Sequence, residues 1–170
     1  MKTARTIGKA LAWFNLVYWG FSVVVSLMQG LAMGNMGVVI FTVLLAAIPL
    51  SSYAALQLHR SIRNPEIRLS HQTPIGIRFV GSFVVLLGIL GIGLGLLIIG
   101  GAKEIFPMLK ENAVDMPQAV NISNVGVLQE LGGLLVFFAV IALVSALINM
   151  RLLRWYYLVR QSDIKQGDVS

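Results

Sequence analysis

The sequence predicts an all-α membrane protein, a bundle of four transmembrane helices with both termini in the cytoplasm. Three observations predict it. Only 12% of the 170 residues are charged and 57% are hydrophobic, where a soluble chain carries about 25% and 45–50%. Four apolar runs are each long enough to cross a hydrocarbon core of about 30 Å, which takes roughly 20 helical residues. The basic residues collect at alternate ends of those runs.

The runs cover residues 10–31, 36–57, 75–100 and 127–153, within a single integral membrane domain of residues 1–170. None holds an Asp, Glu, Lys or Arg deep inside; Arg78 and Glu130 lie within about a turn of an end, where long side chains reach the headgroups. The first run has a basic start, Lys2, Arg5 and Lys9, like a signal peptide. A signal's apolar region is only about 7–15 residues, so a retained span is expected. Gly34-Asn35 turns the chain between spans one and two. Pro49 is expected to kink span two, and Asn64-Pro65 to end its helix. Thr73 reads as an N-cap before Pro74 at the first helical position of span three. Gly100-Gly101 reads as that span's end, leaving an extracytoplasmic loop of roughly 25 residues before span four.

Orientation follows from lysine and arginine placement. Of the 13 basic residues, all but Lys103 and Lys110 fall in the N-terminal tail, in the segment between spans two and three with Arg78 just inside span three, or on the C-terminal side from the end of span four. Arg60, Arg63 and Arg68 form a basic cytoplasmic loop, whose expected role is orientation or anionic-lipid docking. Trp13, Trp155, Tyr156 and Tyr157 stand at the same ends, as interfacial aromatics do.

Packing signals are the most specific feature. Gly81, Gly88, Gly91 and Gly95 are spaced seven, three and four residues apart. At 100° per residue they fall on one face of span three. Glycine lets two helix backbones approach closely in a membrane. Gly132, Ala139, Ala142 and Ala146 form a matching stripe on span four, expected to meet the glycine face. The same glycines could instead serve a homodimer. Asn15, Ser51, Ser52, Tyr53 and Asn149 are the polar groups near the inner ends of the spans. They are expected to form a hydrogen-bonded layer, either as packing glue or as a pocket open to a ligand.

Chemistry is not legible. There is no cysteine, which excludes disulfides and thiolate sites. The two histidines, His59 and His71, have only Glu66 nearby, short of the three or four ligands a metal needs. Gly91, Gly93 and Gly95 lie inside an apolar helix and not at a strand–helix turn, unlike a nucleotide loop. No catalytic, cofactor-binding or metal residue is therefore expected. The basic charge flanks spans and forms no nucleic-acid stripe. The sequence points to a non-enzymatic subunit or regulator acting through helix packing. Its expected partners are the lipid bilayer and either a second copy or another membrane protein. Its expected place is the bacterial inner membrane. The alternative is a small-solute or lipid-handling transporter, as a dimer, using the polar layer.

Overall fold

The structure, a computed structural model, describes residues 2–64, 66–67, 69–112 and 124–167. Among them every element is helical: α1 (Lys2–Ala32), α2 (Met36–Leu45), α3 (Ala47–Arg63), α4 (Gln72–Ile75), a π-helical turn (Gly76–Val80), α5 (Gly81–Asn112) and α6 (Val125–Gly167). Four stretches are long and apolar enough to cross a membrane: Arg5–Ala32, Met36–Arg63, Gln72–Pro107 and Val125–Val159. The shortest have 28 residues, about 42 Å of helix against a hydrocarbon core of about 30 Å.

Local chemistry sets the boundaries. Gly34 takes a positive φ of 64°. Its amide donates to the Leu31 carbonyl, and the Asn35 amide donates to the Gly30 carbonyl. That pair of bonds is a Schellman stop on α1. Asn35 then caps α2, its Oδ1 accepting from the Val38 amide at 3.2 Å. Span two breaks at Ala46, between α2 and α3. Pro49 lies in the first turn of α3, where a missing N–H costs least. Asn124 caps α6 by accepting from the Val127 amide at 2.9 Å.

Three boundaries differ from those the sequence predicts. Gly100-Gly101 does not end span three, and α5 continues to Asn112 through Pro107. Glycine inside a helix costs only about 1 kcal/mol. Neither glycine adopts the left-handed conformation that stops α1 at Gly34. Of the expected loop at 101–126, only residues 113–123 lie outside the described residues. Thr73 does not cap a helix, because α4 already begins at Gln72. Its hydroxyl instead donates to Gln57 Oε1 at 2.6 Å, tying α4 to α3. Arg60 and Arg63 are not in a loop; they form the last turn of α3, where the carbonyl end of a helix favours cations. Arg68 lies outside the described residues.

The chain packs as two compact units, Met1–Val85 with Ala142–Ser170, and Leu86–Ile141. In the first, α1 packs against α2 and α3, and α3 packs against α4 and the π turn. One core cluster joins Ala47, Ile48, Val84, Ala142 and Ala146, and a second joins Ala54, Leu58, Ile77, Leu152 and Leu153. Small residues let the helices close up: a methyl on Gly76 would stand 3.0 Å from Ala54 Cβ, and one on Gly81 would stand 3.1 Å from Met150 Cε.

The second unit contains a tighter contact. A methyl on Gly95 would stand 2.6 Å from Val136 Cγ2 and 2.8 Å from the Gly132 carbonyl oxygen. A methyl on Gly132 would stand 2.9 Å from the Gly95 carbonyl oxygen. The two backbones therefore touch reciprocally, with no side chain between them. One turn away, a methyl on Gly91 would meet Ala139 Cβ at 2.9 Å. Gly88 and Ala139 are buried, whereas Gly93 is exposed with nothing within 4 Å of its Cβ position.

Gly95→Ala is expected to lower the stability of the detergent-solubilised protein by about 1–3 kcal/mol, since backbone must move to admit the methyl. Gly93→Ala, two residues away, should leave the melting temperature unchanged or raise it. Equal melting temperatures for the two variants would refute the backbone contact.

Candidate functional site

Four hydroxyls within the spans bond inside their own helices. Ser51 and Ser52 both donate to the Ile48 carbonyl at 2.9 Å. Thr42 donates to the Val38 carbonyl at 2.7 Å, and Ser22 to the Tyr18 carbonyl at 2.8 Å. This back-bonding satisfies a hydroxyl where water is absent. The Asn149 amide reaches Ser145 Oγ at 3.4 Å, one turn back on α6. No hydrogen bond joins any two of Asn15, Ser51, Ser52, Tyr53 and Asn149. Four of the five are buried, and Tyr53 is 55% exposed.

The first unit also buries a polar ring beside these groups. His59 is 9% exposed, with the Asn149 side chain beside its ring. His59 Nε2, Asn149 Oδ1 and Asn15 Oδ1 have no hydrogen-bond partner. Such groups in an apolar interior cost on the order of 1–3 kcal/mol each. The signal for His59 was present in the sequence: Ser52, Ala55 and His59 are spaced three and four residues apart, so they share one face of α3. All three are buried. Gly8 of α1 crosses close to this face, where an added methyl would lie 2.9 Å from Ile148 Cγ2 and 3.4 Å from His59 Nε2.

A cleft of about 1060 Å³ opens between α1 and α3. Its two walls run antiparallel, so the start of α1 stands beside the end of α3. At that end it is lined by Arg5, Lys9, Arg60 and Arg63, and by the His59 ring. Trp13 and Leu16 of α1 and Tyr53 and Leu56 of α3 line the other end. At 1.5 Å per residue the walls extend about 15–17 Å from charged to apolar. Among the described residues no Asp or Glu lines the cleft. Arg5 is held in place: its Nη2 donates to the Ile62 carbonyl at 3.5 Å, and its guanidinium sits 5.0 Å from the centre of the Trp155 ring. A cation over an indole face is attracted by the ring quadrupole. Arg78 makes a similar contact with Tyr157 at 5.7 Å.

The arrangement can therefore hold a negatively charged group beside an apolar one. Among the described residues no group of three or more His, Asp or Glu converges as metal ligands do. Comparison of the chain with protein-family models, with curated proteins and with solved structures finds no match.

Gln57 is the cleft residue whose orientation depends on a neighbour, since its Oε1 accepts from Thr73. Thr73→Val is expected to cost about 1 kcal/mol in detergent unfolding, because it removes a hydrogen bond between α4 and α3 and leaves a half-buried acceptor unpaired. Adding Gln57→Leu should recover much of that loss. Strictly additive losses in the double variant would show that the bond contributes nothing.

Proposed function

We propose that the chain is a multi-pass integral membrane protein that acts without catalysis, as a small subunit or regulator whose helices pack against another membrane helix. Both termini lie in the cytoplasm, and the host membrane is the bacterial inner membrane. The observation that carries the reading is the outer face of α1. Val17, Phe21, Val24, Met28 and Leu31 are between 56% and 72% exposed. Their spacing of four, three, four and three residues puts them in one stripe, the repeat that seats knobs into holes on a facing helix. The first span also buries the smallest share of itself within the chain.

Orientation is supported by the basic residues: Arg5, Lys9, Arg60 and Arg63 gather where the start of α1 meets the end of α3. A second reading, lipid or small-solute handling, is favoured by the cleft. Its volume is at the upper end of the roughly 300–1,000 Å³ usual for ligand sites.

Two experiments test the proposal. A photo-crosslinking residue at Phe21 or Met28 in intact cells should trap a discrete protein adduct, either a second copy or another membrane protein. Adducts with lipid alone at both positions would overturn the subunit reading. The chain has no cysteine, so single-cysteine variants report topology cleanly. Asn124→Cys should react with an impermeant maleimide in intact cells, and Thr3→Cys and Glu66→Cys only after permeabilisation. The reverse pattern would invert the proposed orientation.

A further inference from the structure

We infer that the α1–α3 cleft is a binding site for one anionic phospholipid, its phosphate held by Arg5, Lys9, Arg60 and Arg63 and an acyl chain laid against Trp13 and Leu56. The inference rests on the membrane-spanning reading alone and does not need the subunit role. Three observations carry it. First, the charge is one-sided: four cations line one end of the cleft and, among the described residues, no carboxylate lines it. Like charges brought together at a membrane surface repel unless an anion lies among them. Second, polarity changes along the cleft in the sense a lipid requires. The charged end is formed by the ends of two apolar helices, and the uncharged end runs down into their spans. A soluble anion would use the first part and leave the second empty. Third, the charged end is built and not merely crowded. The Arg5 guanidinium reaches the Ile62 carbonyl and lies over the Trp155 ring. The largely buried His59 ring lines the same cleft. Arginine presents a planar fork of donors that matches phosphate oxygens, and lysine adds a point charge.

The alternative source of the same chemistry is a free phosphate or sugar phosphate. It shares the cationic end and makes no use of Trp13 or Leu56.

The test uses the full chain in nanodiscs of phosphatidylcholine, with and without brominated phosphatidylglycerol. Trp13 lines the cleft; with Trp19 and Trp155 replaced by Phe it is the sole indole, so bromine on the acyl chain reports occupancy through its quenching. Quenching by brominated phosphatidylglycerol is expected to exceed quenching by brominated phosphatidylcholine at equal content. Glycerol phosphate added in excess should not reverse it. Lys9→Gln, Arg60→Gln and Arg63→Gln should each weaken the preference by about fivefold, the effect of one basic residue at a membrane surface. Arg151→Gln with Arg154→Gln, basic residues outside the cleft, should leave it intact. Ala10→Trp, which fills the cleft without touching a charge, should lower lipid retention in native mass spectrometry.

Equal quenching by the two lipids would overturn the inference. So would equal loss in the Arg151/Arg154 control, which would mean surface potential and not a site. Displacement by glycerol phosphate would assign the cleft to a soluble anion. Retention of an acidic protein in place of lipid would assign it to a partner chain. Single-cysteine topology is read separately, so failure here leaves the membrane-spanning reading standing.

Discussion

Everything in this fold depends on backbone amides pairing within their own helix. A hydrocarbon core offers no water to an open N–H or C=O, so each exposed group there costs several kcal/mol. Helices answer that demand segment by segment, and every described element of the chain is helical. Side chains follow the same constraint. The hydroxyls of Ser22, Thr42, Ser51 and Ser52 donate to carbonyls three or four residues back and ask nothing of a neighbouring helix. The large residues left exposed, such as Phe21, Phe79 and Leu97, are apolar. A soluble monomer rarely shows contiguous apolar patches beyond a few hundred Å²; in a bilayer such a surface is matched to its surroundings.

Cohesion then has to come from something other than hydrophobic burial, because lipid is as apolar as leucine. Close approach supplies it. Where Gly95 meets Gly132 the two backbones touch directly, and Gly91 against Ala139 extends the contact by a turn. In the other unit the clusters around Val84 and Ile77 are built largely from alanines and β-branched or leucine side chains. Dispersion falls steeply with separation, so removing a side chain at the crossing gains more contact than a larger residue would provide.

The four apolar helices were legible in the sequence, because span length is read directly from hydrophobicity. Gly34, Asn35 and Pro49 stood out because each residue type has one strong local preference. Gly100 and Gly101 misled because glycine ends a helix only when the chain adopts the left-handed conformation, and sequence does not reveal φ. Thr73 misled in a different way: its hydroxyl has two local uses, and a long-range acceptor, Gln57, won. The cleft was not visible at all. Arg5 and Lys9 are more than fifty residues from Arg60 and Arg63, and only the antiparallel pairing of α1 with α3 brings the two groups together. His59 was passed over because it was weighed as a metal ligand and not as part of a buried helix face.

The most direct measurement is alkaline carbonate extraction of membranes from cells making the native chain. The protein is expected to stay with the lipid pellet and to leave it only when detergent is added. Release into the aqueous supernatant as a folded, monodisperse species would contradict it, since the helices described here would then have to present Phe21, Phe79 and Leu97 to water.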